Sequence, residues 1–245
     1  MTPYYQANGI TIFHGDCRDA LSQLAQVHLV ATDPAYRVIG GGSNKGDKSR
    51  PSGILAKNDG KIFKHNDIKT SEYAGLLFDV LHDPAHLYLF INDLNLRDAL
   101  NDFDAVGFEF HGLLNWYKTN ATPSRWYMAD SEPILFFRKG AAFPINNPSA
   151  KATLRYPSVP PAEKKHPTQK PVLLMMELIQ NSSQPGQTVL DPFCGSGSTL
   201  IAGLRSGRRA IGIEIDEQYC EVAASWVEEE ASCKVRQGML FQQVA

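Results

Sequence analysis

Thr188-Val189-Leu190-Asp191-Pro192-Phe193-Cys194-Gly195-Ser196-Gly197-Ser198-Thr199 decides how this chain folds. A short apolar run breaks at Asp-Pro, passes two glycines and enters a helical pattern that continues to Ser206. Strand, glycine turn and helix in that order make the nucleotide-binding half of a βαβ unit, the glycines letting a ligand approach the backbone closely. The next strand, Ala210–Ile213, ends at Glu214, about 20 residues beyond the glycines, where a carboxylate suits ribose hydroxyls. A dinucleotide fingerprint would want a third glycine where Leu200 stands, and a phosphate loop would want a lysine that is missing. The turn therefore suits a nucleoside without a pyrophosphate, and S-adenosylmethionine fits.

Outward from this turn, short apolar runs alternate with helical patterns. Ile10–Phe13 reads as a strand ending in His14-Gly15-Asp16, with Asp16 placed to N-cap a helix to about Ala25. Val27–Thr32 reads as a buried strand that ends at Asp33-Pro34-Ala35-Tyr36. Further strands are expected at His86–Ile91, Phe108–Tyr117, Pro133–Arg138 and Thr188–Leu190. Helices are expected at Ser71–His82, from about Leu94, and at Pro171–Asn181, Ser198–Ser206 and Glu217–Glu230. Seven strands separated largely by helices predict an α/β fold, a doubly wound and mostly parallel sheet, in one domain spanning residues 1–245. Ligands in such sheets bind beyond the carboxyl ends of the strands. Both Asp-Pro stretches fall there.

The net charge of −2 gives no hint of a polyanionic partner, but its distribution does. Residues 37–67 hold seven Lys/Arg and three Asp, residues 138–170 seven Lys/Arg and one Glu, and residues 214–230 seven acidic groups. Two basic loops on a near-neutral protein are the footprint of a nucleic-acid binder. They coincide with the two long gaps between elements, a basic loop at 37–70 and a Pro-rich segment at 140–168. Cys17, Cys194, Cys220 and Cys233 form no CxxC pair, and no His spacing suggests a metal site. With no run of ~18 apolar residues and no leader pattern at the N-terminus, a cytoplasmic chain with reduced thiols and no membrane contact is expected.

Taken together, these motifs resemble those of amino-group DNA methyltransferases. Asp33-Pro34-Ala35-Tyr36 is similar to their Asp-Pro-Pro-Tyr motif, and Val189 through Thr199 to their methyl-donor motif. His166-Pro167-Thr168-Gln169-Lys170-Pro171 resembles the motif ahead of the following helix, and Gly212-Ile213-Glu214-Ile215-Asp216 the ribose-binding strand. Gly15-Asp16, Trp116-Tyr117-Lys118 and Ser131-Glu132-Pro133 through Lys139-Gly140 match the remaining stretches. The catalytic tetrapeptide precedes the donor motif, which is the permuted order of the family's β group, within a Rossmann-like fold.

The resemblance implies a methyl transfer from S-adenosylmethionine to a base flipped out of double-stranded DNA. Asp33 and the Pro34 carbonyl would accept from the target amine, Tyr36 would stack on the base, and Ala35 stands in place of the second proline. Phe193, Gly195 and Gly197 would meet the donor's methionine part, Glu214 its ribose, Asp16 its adenine, and Thr168 and Lys170 its carboxylate. Cys17, Asp191 and Ser198 belong to the same expected donor site. Arg37, Lys45, Lys48, Lys118, Arg125, Trp126, Lys164 and Lys165 are the expected DNA contacts. The 25 residues between Gly140 and His166 would form a short target-recognition segment. Asp at position 33 leans toward adenine N6, with cytosine N4 methylation and an inert DNA-binding homologue as the alternatives, and methylation of RNA or protein as a more distant one. No metal is required, a monomer or a homodimer is expected, and a restriction-modification pairing would need a separate nuclease chain.

Overall fold

The computed structural model describes residues 1–36, 68–122 and 127–242. Residues 37–67 of the expected 37–70 basic loop, and the expected DNA contacts Arg37, Lys45, Lys48, Arg125 and Trp126, lie outside them, while Thr70, expected in the loop, begins a helix. In chain order the elements are β1 Tyr5–Ala7, β2 Ile10–His14, α1 Cys17–Leu21, β3 Val27–Thr32, α2 Thr70–Val80, β4 Leu81–Phe90 and α3 Leu96–Ala105. They continue with β5 Glu109–Thr122, β6 Ala129–Lys139, β7 Thr153–Arg155, α4 Val172–Ser182, β8 Thr188–Asp191, α5 Ser198–Arg205, β9 Arg209–Glu214 and α6 Glu217–Gln242.

All seven expected strands are present, and the sheet has nine, in the order β1-β2-β9-β8-β3-β4-β6-β5-β7. The two additions, β1 and β7, are three-residue edge strands, too short for an alternating pattern to reveal. β7 falls within the 140–168 segment and pairs in parallel with β5 over Asn115–Tyr117. The five strands from β2 to β4 run parallel. β6 lies antiparallel between β4 and β5.

Alternation along the central strands feeds two layers. Val30, Leu87 and Leu89 pack under α1, α2 and α3 through Leu21, Leu77 and Phe103. Leu29, Ala31, Tyr88 and Phe90 pack under α4 through Leu174 and Leu178. Ile10, Ile12 and Ala210 meet α5 and α6 through Ile201 and Val227. Helix ends follow local chemistry. Asp16 caps α1 by accepting from the Arg18 amide at 2.9 Å, as expected. The helix stops at Leu21 rather than Ala25, because the Gln23 and Leu24 amides bond back only three residues, to Ala20 and Leu21. Glu72 reaches back to the Lys69 amide at 2.7 Å and fixes the start of α2. α6 runs on past the expected end at Glu230.

Sheet order decides where a ligand can sit. β3 lies between β8 and β4, so the chain crosses away in opposite directions on its two sides. That switch point opens a crevice beyond the strand ends. Because β6 is antiparallel, its first residues reach the same edge as the ends of β3, β8 and β9. No helix among the described residues is long and apolar enough to cross a membrane.

Candidate active site

A cavity of about 940 Å³ lies along this edge, and its wall includes residues from every strand end named above. That size is near the upper end for ligand pockets, enough for two ligands side by side. It divides into two halves by chemistry.

One half is built on the β8–α5 turn. Gly197 has φ +93°, a left-handed conformation open to glycine at little cost, and its carbonyl accepts from Ile201 to start α5. It sits behind the cavity wall, where a Cβ would come within 3.1 Å of the Ala223 Cβ. Gly195, at φ +49°, faces the cavity beside His166. Asp191 is buried beneath the turn. It accepts from Thr32 at 2.6 Å, Thr199 at 2.5 Å and the Phe193 amide at 3.1 Å. These bonds tie β3, β8 and α5 together. Burial still outweighs them and pushes the Asp191 carboxyl up to about 6. Glu214, at the end of β9, accepts from the Gly195 and Asp216 amides, each at 2.9 Å. Burial raises its pKa as well, against those two donors. Asp16 lies on the same wall with its carboxylate held by Arg18. Burial pushes the Cys17 thiol up to about 12 and the Cys194 thiol well above its usual value, so neither is a ready nucleophile.

These features suit a nucleoside. Two backbone turns and a carboxylate face one cleft, a glycine leaves the floor open, and no Lys or Arg follows the turn to meet a phosphate.

The other half gathers around Asp33, just past β3. The Tyr36 hydroxyl donates to Asp33 at 2.6 Å, and the Lys170 ammonium pairs with the other carboxylate oxygen. Lys170 also lies 3.3 Å from Glu132 at the start of β6, and Glu132 pairs with Lys118 near the end of β5. Trp116 faces Glu132 across the β5–β6 ladder, with the Lys118 and Lys170 ammoniums 5.2 and 5.9 Å from its ring centre. Its indole donates to the Tyr156 carbonyl at 2.8 Å, which fastens the segment after β7 to this wall. Burial raises the Asp33 pKa against the pull of Lys170. Burial also opposes the Lys170 charge, but Asp33 and Glu132 outweigh it and leave its pKa raised. For Glu132, Lys170 and Lys118 outweigh burial, and its carboxyl titrates below the usual range.

Asp16, Cys17, Asp33, Pro34, Ala35, Tyr36, Lys118, Lys164, Thr168, Lys170, Asp191, Phe193, Gly195, Ser198 and Glu214 thus share one cavity although they span most of the chain. Lys170 differs from its expected place in one respect: its ammonium lies on Asp33 and Glu132. Lys118 faces inward rather than over open surface. Lys164 lines the cavity and donates to the Pro167 carbonyl at 3.0 Å. Lys165 turns to α6, 3.4 Å from Glu229 and over the Trp226 ring. Sequence reasoning gave no role to Glu132, Trp116, His166 or Tyr219, all in the wall. Glu132 was visible only as part of Ser131-Glu132-Pro133. The His166 ring packs edge-on against Tyr219, and burial lowers its pKa to about 4, so it stays neutral at physiological pH.

Fold and site together define an α/β protein of the nucleoside-binding class, with a second subsite of paired charges and aromatic rings beside the cleft. A family model described as DNA methylase matches residues 27–225, and the chain belongs to this family of N6 and N4 methyltransferases. The chain is 28% identical to the Type II methyltransferase M2.DpnII of Streptococcus pneumoniae, with 93% of each protein covered. It is 29% identical to M2.MboI of Moraxella bovis, another Type II methyltransferase, over 90% of this chain and 89% of that protein. Among solved structures, the M1.HpyAVI–SAM complex superposes with a TM-score of 0.66 at 25% identity, covering 88% of this chain and 98% of that one. The cytosine-N4-specific PvuII DNA methyltransferase shares the fold, with a TM-score of 0.68 at 16% identity, 91% of this chain and 87% of that one being covered.

Proposed function

We propose that the chain methylates the N6 amine of adenine in double-stranded DNA, with S-adenosylmethionine as donor. The observation that carries this reading is the Asp33 carboxylate, set in the same cavity as the Glu214 cleft and held from two sides. When bound, the donor supplies an electrophilic methyl group. This chain supplies position and polarity. Glu214 takes the ribose hydroxyls on the lone pairs left by its two amide donors. Asp16 takes the adenine amine, Thr168 the carboxylate end, and the Phe193–Gly197 turn packs against the methionine part.

The target amine is a poor nucleophile because its lone pair is delocalised into the ring. Asp33 and the Pro34 carbonyl accept its N–H groups and favour the lone pair on nitrogen, facing the methyl. The nitrogen forms the new bond to carbon, the carbon–sulfur bond breaks, and one amine proton leaves to solvent. Tyr36 stacks on the flipped base, contributing about 1–3 kcal/mol against a flipping cost of a few kcal/mol. Most of the acceleration comes from holding amine and methyl in line. Ala35 leaves the Asp33 carboxylate and the Pro34 carbonyl in place and gives up only the rigidity of a second proline. The 140–168 segment, fixed to the wall through β7 and Tyr156, is the short target-recognition element, and Lys164 adds a phosphate contact beside it.

The test is tritium transfer from labelled donor to unmethylated duplex DNA, followed by nucleoside analysis. Label in N6-methyl-2′-deoxyadenosine supports the reading. Label in N4-methyl-2′-deoxycytidine moves the target to cytosine. Binding without transfer leaves an inert homologue.

A further inference from the structure

Lys170 is buried between two carboxylates, and only one of them has a role so far. It pairs with Asp33, which must be available to the incoming amine, and stands 3.3 Å from Glu132. Glu132 in turn pairs with Lys118. The four charges form one neutral row from the end of β3 through the approach to α4 to β6 and β5. The row is anchored by the β5–β6 ladder, where Glu132 faces Trp116 and Lys118 follows two residues on.

A lysine locked onto Asp33 alone would compete with the amine for the same oxygens. A lysine without a second anchor would drift when the amine arrived, because an unpaired buried ammonium is strongly disfavoured. We propose that Glu132 is a positioning residue for the transfer: it is the second anchor that takes the Lys170 ammonium as the target amine engages Asp33. Lys170 thus serves the target half of the cavity and stays close enough to keep Asp33 ionised. Lys118 holds the Glu132 carboxylate in place for this exchange. The inference rests on the assignment of Asp33 to the target amine.

The charges around Asp33 fix the sign of its pH dependence. Lys170 faces it from the approach to α4 and Glu132 from β6, Tyr36 bonds it from its own loop, and Asp191 and Tyr73 lie within electrostatic reach from β8 and α2. Lys118 and Lys164 act on the row from its far side. Transfer needs ionised Asp33, so it fails on the acid side. Removing the negative charge of Glu132 moves that acid limb to lower pH, and removing the positive charge of Lys170 moves it to higher pH.

The experiment is single-turnover methylation of duplex DNA across pH at saturating donor, with donor affinity measured separately by calorimetry. Glu132→Gln is expected to slow transfer by about 10–100-fold at neutral pH, the scale of a misplaced reacting group. Its acid limb should move down while donor affinity stays within about twofold. Lys170→Met should move the limb up. Glu132→Asp, which keeps the charge, should restore the wild-type limb. An unmoved or raised limb in Glu132→Gln, or loss of donor affinity equal to the loss of rate, overturns the inference. Should Glu132→Gln fail to fold, Lys118→Met decides: it should slow transfer with the limb raised, and an unchanged rate and limb overturn the inference. Full turnover by Asp33→Ala would instead sink the underlying assignment, whatever Glu132 does.

Discussion

Replacing Gly197 by alanine tests whether the β8–α5 turn holds the cleft in shape. Two separate penalties are expected. The backbone sits at φ +93°, ψ 22°, and a side chain in a left-handed conformation costs about 1–2 kcal/mol. The new Cβ would also stand 3.1 Å from the Ala223 Cβ, and overpacking of this kind costs about 1–2 kcal/mol more. The sum is about 3 kcal/mol, or a Tm lowered by about 9 °C for a chain of this size. Gly186→Ala is the control. It carries the same backbone penalty at φ +82° but meets nothing within 4 Å and lies away from the cavity. It should lower Tm by about 3–6 °C and leave donor affinity intact. Thermal unfolding with and without donor, plus calorimetric donor binding, reads both effects. Equal Tm losses for the two variants, with donor binding unchanged in Gly197→Ala, would refute the packing of this turn against α6.

Asp191→Asn addresses the buried knot under the turn. A carboxyl raised to about 6 in the folded state contributes stability that is full below the ordinary value near 4 and is lost as pH rises through about 6. The asparagine variant should therefore lack this loss, which is on the order of 2–3 kcal/mol, and denaturant unfolding from pH 4 to 7 should show a flatter profile than wild type. An identical profile would show that Asp191 is not the group that titrates there. Lys164 and Lys165 are adjacent but differently placed. Lys164→Gln should reduce the salt slope of DNA binding by about 1, whereas Lys165→Gln, already engaged by Glu229, should leave it unchanged. Titrations at several salt concentrations would contradict this if the two slopes fell together.

The strands were readable because a parallel sheet buried on both faces demands continuous apolar runs, as in Val27–Thr32 and His86–Ile91. Strand order, by contrast, was not legible, because it depends on pairings between runs far apart in the chain. β1 and β7 escaped notice because three residues carry no period. The early stop of α1 depends on two backbone bonds that no residue type announces. In the site, glycines and Glu214 were legible from spacing, since a turn conformation and a strand end restrict which residues fit. Lys170 was legible only through the family resemblance, which placed it at the donor carboxylate, whereas its ammonium lies on Asp33 and Glu132. The partner, Asp33, is 137 residues away in sequence, and only the crossover of β3 past β8 brings them together. Glu132 was hidden for the same reason, an unremarkable carboxylate in a strand until the β5–β6 ladder sets it beside Lys170.

In the proposed function Asp33 acts on the target amine and not on the donor. Single-turnover transfer by Asp33→Ala at saturating donor, with donor affinity measured on the same sample, tests it most directly. Donor affinity within about twofold of wild type is expected, with a transfer rate lower by at least about 100-fold, the scale set by a lost positioned acceptor. Wild-type turnover by Asp33→Ala, or loss of donor binding in parallel with rate, would contradict it.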